Sequence, residues 1–214
     1  MRTDTRRSES DAAPVWRRQL VALLLAFAAS GCSTTQERVY DAALAGNAAK
    51  LQSLLAKPDV EIDRAQGLLN TPLMWASVGG SLDCVKLLTE KGADINKQIA
   101  AWVPVRKESI PAPAFHRMSV SGSEGEAEYT DKNGSGVRAY VVRTPGVGPC
   151  ALSRAVVRER VEIVRYLLEK GATIPGRMCI DFEWTTMADL AKATGNAEII
   201  ALIERAGGSV PAKR

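Results

Sequence analysis

The sequence predicts an all-α fold, a solenoid of about four stacked helix pairs that carries a long β-hairpin-like insertion at one fingertip. Three observations lead to this class. One order of apolar residues and reversal glycines recurs four times, and residues 97–148 interrupt it with a stretch rich in Pro and Gly. The composition, 46% hydrophobic and 24% charged, is that of a globular chain. At least three repeats are needed to bury stacked faces, so four are sufficient.

The chain begins with the pattern of an export signal. Five arginines among the first 18 residues precede an apolar run from Leu20 to Ala29, and small residues follow up to Cys32. The run is shorter than the about 20 residues that cross a bilayer, and this order is typical of a secretory signal peptide. The segment resembles the lipobox of bacterial lipoproteins, in which the cysteine is diacylated, although Ala29 stands where that family prefers Leu or Val. The alternative is ordinary signal cleavage, with Cys32 incidental.

The lipobox resemblance implies where the protein resides. Residues 1–31 would be the lipoprotein signal peptide, Cys32 the lipid attachment site and residues 32–36 a tether. Two or three acyl chains hold a protein stably on a membrane. Ser33 follows the cysteine, which in bacterial lipoproteins resembles the outer-membrane default. We therefore expect an exported protein on the periplasmic face of the outer membrane, with a lipid anchor as its only contact with the membrane.

The most complete repeat begins at Thr71, and each of its marker residues has a physical role. Thr71 can cap a helix and Pro72 suits the first helical position. Ala76 lets two helices lie close together, Gly80 can take the left-handed conformation that reverses the chain, and Gly92 fits the end of the second helix. About a dozen positions agree in order. This copy resembles the ankyrin repeat.

The same frame recurs at fixed shifts and divides the rest of the chain. Relative to Thr71 the shifts are 34 residues back and 79 and 115 residues forward, and the outer copies have the polar character of caps. The third copy is the weakest, because it has Cys150 and Ala151 at its entry and Arg158 and Glu159 where the reversal glycine belongs. A non-glycine residue there costs about 1 kcal/mol. The predicted repeat domain spans 37–207, with repeats at about 37–65, 71–96, 150–174 and 186–207, the insertion at 97–148 and a tail at 208–214.

The insertion contains one predicted hairpin. Residues 126–130 and 137–142 alternate in character, and Asn133 and Gly134 lie at or near the turn between them. Long inserted loops are either functional or without fixed structure. The sequence leaves open whether this one is a recognition finger or a mobile loop that the fold tolerates.

A shorter insertion of about three residues precedes the fourth repeat, within residues 175–185. It carries Met178, Cys179, Phe182 and Trp184. Aromatic residues at fingertips can anchor a partner, because Trp and Tyr dominate interface hot spots. They can equally fold back onto the neighbouring repeat.

The cysteines and the single histidine limit the possible chemistry. His116 alone cannot supply a histidine-based metal site, and a catalytic triad would need partners that the sequence does not indicate. We expect no metal, no cofactor and no enzymatic activity. Cys84 occupies an inward apolar position. Cys150 and Cys179 both lie near repeat entries, so a disulfide between them is a hypothesis in an oxidising compartment.

The charge balance speaks against nucleic acid as a partner. Without residues 1–31 the chain has 23 basic and 21 acidic groups, a net charge of +2, which is too near neutrality for a surface that follows phosphates. The resemblance to ankyrin repeats instead implies binding of another protein, through the hairpin tips and the concave face of the first helices. We expect the chain to be a monomer. The implied contact residues, together with exposed aromatics of the two insertions, are Met74, Trp75, Ser153, Arg154, Arg158, Trp102, Tyr129, Tyr140 and Trp184.

One concrete hypothesis follows from the predicted envelope location. The chain would be an immunity protein that neutralises a secreted antibacterial effector. The alternative is a structural or assembly factor for an envelope complex or a periplasmic enzyme. No residue pattern in the sequence names the partner.

Overall fold

Helix–turn–helix units dominate the structure, which is a computed structural model describing residues 34–66, 70–110, 117–121, 123–130 and 135–207. Within these ranges the helices form four consecutive pairs. They are α1 (Thr35–Leu44) with α2 (Ala48–Leu55), α3 (Pro72–Gly79) with α4 (Leu82–Glu90), α5 (Ala151–Val157) with α6 (Val161–Glu169), and α7 (Met187–Thr194) with α8 (Ala197–Arg205). The prediction of a helical repeat solenoid is confirmed in this respect.

Local hydrogen bonds explain where these helices begin. Thr71 Oγ1 accepts a hydrogen bond from the Met74 N–H at 3.3 Å, and Pro72 occupies the first turn of α3. Both features agree with the sequence prediction. They stabilise the helix start because the cap satisfies one of the N–H groups that are left unpaired there, and proline has no N–H to satisfy. At the weaker third entry, Ser153 Oγ accepts from the Cys150 N–H at 3.0 Å. Ser153 therefore satisfies the N–H of the N-cap residue, which is a different group from the one that Thr71 satisfies at the entry of α3.

The turn inside each pair uses a residue with positive φ. Gly80 has a φ of 86°, and Glu159 has a φ of 54° at the equivalent place in the third pair. The prediction that Glu159 replaces a reversal glycine is confirmed. The left-handed conformation is costly for a residue with a side chain, so this turn holds local strain.

The helices stack in two layers, and the core lies between them. The first helices α1, α3, α5 and α7 contact one another in order, and so do the second helices α2, α4, α6 and α8. Ala76 is fully buried, as is Cys84, so both inward placements are confirmed. A Cβ added at Gly79 would overlap the carbonyl oxygen of Leu44, which shows how closely α1 and α3 approach.

The long insertion is a four-stranded antiparallel sheet, so the expectation of an all-α chain with a hairpin-like insertion is only partly correct. Its strands are β1 (Ala101–Ile110), β2 (Arg117–Ser121), β3 (Glu124–Thr130) and β4 (Gly136–Thr144), in the order β1-β4-β3-β2. The predicted hairpin is present as β3 and β4, with Tyr129 opposite Val137. Its turn at Asn133 and Gly134 lies outside the described residues. The other two strands were not predicted.

The two ends of the insertion are held together by backbone hydrogen bonds. The Ile99 N–H donates to the Pro149 carbonyl at 3.2 Å, and the Gly148 N–H donates to the Ile99 carbonyl at 3.0 Å. The repeats on either side also contact each other directly, because Asn96 Oδ1 accepts from the Thr173 N–H at 2.8 Å. We call the paired segments at Ile99 and 148–149 the neck.

The shorter insertion forms a second hairpin, β5 (Met178–Ile180) with β6 (Glu183–Thr185). Asp181 and Phe182 make its two-residue turn, with φ angles of 48° and 66°. Two left-handed residues in succession are typical of a tight hairpin turn. The turn projects Phe182 against the sheet of the long insertion, where its ring stacks on Tyr129 with centroids 4.8 Å apart.

Candidate protein-binding surface

The reversal residues give equivalent positions on the first helices. They are Gly46, Gly80, Glu159 and Gly195, one in each pair and all with positive φ. The residue two positions before each reversal residue is apolar. We call these four residues the apolar row: Leu44, Val78, Val157 and Ala193. Five residues before each lies a mixed row: Asp41, Trp75, Arg154 and Leu190. None of these eight residues is buried, so the two rows form an accessible surface along the first helices.

The apolar row contains two of the most exposed large apolar side chains of the described residues. Leu44 is 42% exposed and Val157 is 47% exposed. Single exposed apolar residues are ordinary on soluble proteins, but repetition at one structural position produces a continuous stripe. Sequence reasoning did not single out either residue. Counting back from the reversal position would have found them.

Trp75, in the mixed row, has an incompletely paired side chain. It is half-buried against the core, and its indole nitrogen is buried with no hydrogen-bond partner among the described residues. Buried N–H groups are normally paired, and those that are not call for a specific explanation. Trp75 is only partly buried, so part of this residue belongs to the accessible surface of the first helices.

Arg154 is the charged member of the mixed row in the third pair. Its Nε donates to Asn70 Oδ1 at 2.9 Å, which links α5 to the entry of the second repeat. Burial lowers the pKa of the Arg154 guanidinium, and the charge of Arg158 acts in the same direction, whereas that of Asp181 opposes it. Arg158 itself is exposed at the end of α5.

Two of the predicted contact residues are inaccessible. Met74 is 1% exposed and Ser153 is fully buried, so neither side chain can meet a partner on this surface. They occupy the position next to Trp75 and Arg154 in the repeat, and a step of one residue on a helix turns the side chain through about 100°. The prediction that Met74 and Ser153 contact a partner is therefore wrong, and both are core residues.

Tyr129 also differs from the prediction. It is 1% exposed and belongs to the buried face of the insertion sheet, beside Phe182 and Val137. Burial raises the pKa of Tyr129. It is a core residue of the sheet rather than an exposed anchor.

The remaining aromatic candidates fall in separate places. Tyr140 is 38% exposed on the other face of the sheet, in a cleft of about 340 Å³ that it shares with Arg106 and Arg138. Trp184 is 39% exposed on β6, with the Arg177 guanidinium 5.3 Å from its ring centroid. Trp102 is partly buried and lines a different cavity with Arg154. The structure thus brings Trp102 and Arg154 together and leaves Tyr140 apart from them.

The hypothesis of a disulfide is wrong for this structure. Cys84, Cys150 and Cys179 are all free and buried. Cys179 Sγ donates to the Trp102 carbonyl at 3.4 Å, and burial raises the pKa of Cys179 to about 11. Burial also raises the pKa of Cys150. Both thiols are therefore protonated near neutral pH, which makes them poor nucleophiles.

Some predicted features fall outside what the structure describes. Cys32 and the whole predicted signal peptide precede the first described residue, and His116 lies within the gap at 111–116. In the described ranges no group of three His, Cys, Asp or Glu residues is arranged to hold a metal ion. The described helices include none with the length and apolar character of a membrane span.

Two comparisons with known proteins bear on the family. The family model described as "Ankyrin repeats (3 copies)" matches residues 15–99, less than half of the chain, and the part of the match before residue 34 lies outside the described residues. A 67-residue segment is 45% identical to a protein named "Probable E3 ubiquitin-protein ligase XBOS33" from Oryza sativa subsp. japonica. The match covers 31% of this chain and only 13% of that protein. Ankyrin repeats are typically non-catalytic modules for protein–protein interaction, and this chain contains them.

Proposed function

We propose that the chain binds another protein through the first-helix surface, without catalytic activity. The observation that carries this proposal is the apolar row beside the mixed row. A row of accessible Leu and Val side chains beside a row that contains Trp75 and Arg154 has the composition of an interface centre, where aromatic residues and Arg are enriched. The presence of ankyrin repeats supports the same role.

Within this surface, we expect the middle of the array to contribute most of the binding free energy. Trp75 and Arg154 belong to the two central repeats, and Val157 lies one turn beyond Arg154 on α5. Hot spots cluster near the centre of an interface and favour Trp and Arg. Truncating a residue of this kind typically costs 2 kcal/mol or more.

The finer part of the proposal concerns location and biological role, and it rests on the sequence alone. We propose that the chain is exported and anchored by lipid at Cys32 to the periplasmic face of the outer membrane. There it would act as an immunity protein that neutralises a secreted effector. The alternative role is that of a structural or assembly factor for an envelope complex or a periplasmic enzyme. An effector gene beside this gene would favour the first role.

Site-specific photo-crosslinking tests the surface directly. A benzophenone amino acid at Val157, on the first helix of the third pair, is compared with the same amino acid at Glu169, on the second helix of that pair. Both positions are exposed. Irradiation in the native host should give a discrete crosslinked species from Val157 and none from Glu169. Equal labelling from both positions, or from neither, would contradict the proposal.

Mass spectrometry of the mature N-terminus tests the anchor separately. The expected product begins at Cys32 and carries the mass of the acyl chains. A water-soluble product that begins at another residue would remove the anchor and the membrane assignment, and would leave the protein-binding surface unaffected.

A further inference from the structure

A cavity lies where the long insertion, the β5–β6 hairpin and α5 meet. Its volume is about 190 Å³. Pockets that hold whole small-molecule ligands are typically about 300–1,000 Å³, so this one has room for a single side chain or a chain terminus. The lining residues that matter here are Trp102, Arg154, Cys179, Ile180, Asp181 and Phe182.

Arg154 is the main charged group of the cavity, and its hydrogen bonding is incomplete. Its only side-chain hydrogen bond in the described part of the chain is the one from Nε to the neutral amide oxygen of Asn70. No described carboxylate forms an ion pair with it. A partly buried cation without a counter-ion is unfavourable, and a guanidinium offers donors in the fork geometry that a carboxylate matches.

The local charge also favours an anion. Asp181 lines the cavity and acts on Arg154 through its charge, but so does Arg158, so these three groups together are net positive. Because Asp181 is not paired with Arg154, it weakens the attraction for an incoming anion without occupying the guanidinium.

The rest of the wall selects for an apolar stem. Ile180 and Phe182 contribute apolar side chains, and the thiol of Cys179 is already directed to the Trp102 carbonyl. The indole nitrogen of Trp102 is buried and has no hydrogen-bond partner among the described residues. A carboxylate on an apolar group would therefore find a cation and apolar walls in this cavity, and the Trp102 side chain beside them can report on its binding.

We propose that this cavity binds a carboxylate carried on an apolar stem, supplied by a peptide segment of the partner protein. The inference rests on the proposed protein-binding function, because it names the chemistry by which a partner is recognised at the edge of the first-helix surface. The carboxylate comes either from an Asp or Glu side chain within the segment or from the C-terminus of the partner.

Titration of the full chain, labelled with ¹⁵N at tryptophan, tests the inference through the indole N–H signal of Trp102, which is assigned with a Trp102→Phe variant. One probe is acetyl-Ala-Leu-Glu-Leu-Ala-amide, and its control replaces Glu with Gln. A second probe is acetyl-Ala-Leu-Leu with a free C-terminus, and its control is the C-terminal amide. At least one acid should shift the Trp102 signal saturably and bind about tenfold or more tightly than its neutral control. Which acid does so identifies the source of the carboxylate. Equal binding of both acids and their controls, or no binding by either acid, would overturn the proposal.

Three variants locate the interaction. Arg154→Met should abolish the difference between acid and neutral probe, whereas Arg143→Met, an exposed arginine on β4, should leave it unchanged. Asp181→Asn keeps Arg154 and the fold, since Asn tolerates the left-handed conformation found there, and should tighten binding of the acid several-fold. Unchanged affinity in both Arg154→Met and Asp181→Asn would refute the assignment of this cavity.

The outcomes also separate this inference from the proposed function. If Val157 crosslinks a partner but neither acid shifts Trp102, the carboxylate site is wrong and the binding surface stands. If an acid binds as described but no crosslink forms at Val157, the carboxylate site stands and the proposed protein-binding surface is wrong.

Discussion

The stacking of Phe182 on Tyr129 should determine how firmly the insertion sheet is held against the repeats. Phe182 lies at the tip of the β5–β6 hairpin, and Tyr129 lies on the buried face of β3. We predict that Phe182→Ala loosens the sheet while the four helix pairs remain folded. The remaining side-chain links would include the ion pair between Lys107 and Glu183, at 3.1 Å, and the hydrogen bond from Cys179 Sγ to the Trp102 carbonyl, at 3.4 Å. Exposed ion pairs contribute at most about 1 kcal/mol.

The size of the effect follows from the two contributions that the ring makes. A stacked aromatic pair contributes about 0.5–1.5 kcal/mol beyond its buried area. Complete burial of a Phe side chain contributes about 1.5–3 kcal/mol, and Phe182 is only partly buried. A local loss of about 2 kcal/mol is expected, which corresponds to a change of roughly 30-fold in an opening equilibrium.

Hydrogen exchange measured by mass spectrometry is the suitable assay, because it reports on each segment separately. Amides of β3 and β4 should exchange roughly 30-fold faster in Phe182→Ala, while those of α3 and α5 keep their rates. Trp184→Ala, in the same hairpin but 39% exposed, is the matched control and should leave β3 unchanged. If β3 exchanges at the same rate in the wild type and in Phe182→Ala, the sheet does not depend on this contact and the reasoning fails.

The remaining predictions concern the repeats and the second hairpin. Ala76→Arg should lower the melting temperature of the whole array, because overpacking costs about 1–3 kcal/mol and a buried charge adds to it; an unchanged melting temperature would contradict the assigned packing. Glu159→Gly should raise the free energy of unfolding by up to about 1 kcal/mol in urea titrations, since it relieves a φ of 54°, and a loss of stability would show that the Glu159 side chain is needed. Replacing residues 100–146 with a short Gly-Ser turn should preserve helical circular dichroism but lower the melting temperature slightly, because it uncovers Phe182 and Cys179; collapse of the helical signal would refute the independence of the array. Burial raises the pKa of Cys179 to about 11, so the contribution of this buried thiol to the free energy of unfolding should be complete below pH 9 and decline between pH 9 and 11. Cys179→Ala should reduce this decline in melting temperatures measured across that pH range.

The sequence predicted the helical part of the fold well, because each repeat has its helix-capping and chain-reversal residues at corresponding positions. The reversal glycines, the Thr71 cap and even the substitution at Glu159 have local causes that a single sequence displays. Strand β1 has no such local signature. It combines Pro104 with a run of charged residues, and it pairs with β4 through a bulge beside that proline. Its existence depends on a partner strand about 35 residues away.

The candidate site was predictable in outline but not in detail. The family resemblance led to α3 and α5, yet only the packing distinguishes buried Met74 from accessible Trp75 on the same helix. The hypothesis of a disulfide between Cys150 and Cys179 was wrong for a related reason. Proximity of two repeat entries does not fix the direction of two side chains, and a disulfide requires a specific direction. The cavity beside Arg154 required three separate segments to converge, which no single stretch of sequence reveals.

The neck of the insertion has a consequence for how this protein could diversify. Two backbone hydrogen bonds at Ile99 join the two ends of the insertion. The hydrogen bond between Asn96 and Thr173 joins the flanking repeats independently of the insertion. A Cβ at Gly148 would lie 2.7 Å from the Ile99 carbonyl oxygen, so closure at this point depends on glycine. The chain therefore leaves and re-enters the repeat array at one point, and the contact between the flanking repeats does not depend on the sheet. A lineage that keeps Asn96, Ile99 and Gly148 can lengthen, shorten or replace the segment between the last two, provided that the new segment still covers Phe182 and Cys179. It can so acquire a new specificity while the repeats keep their register.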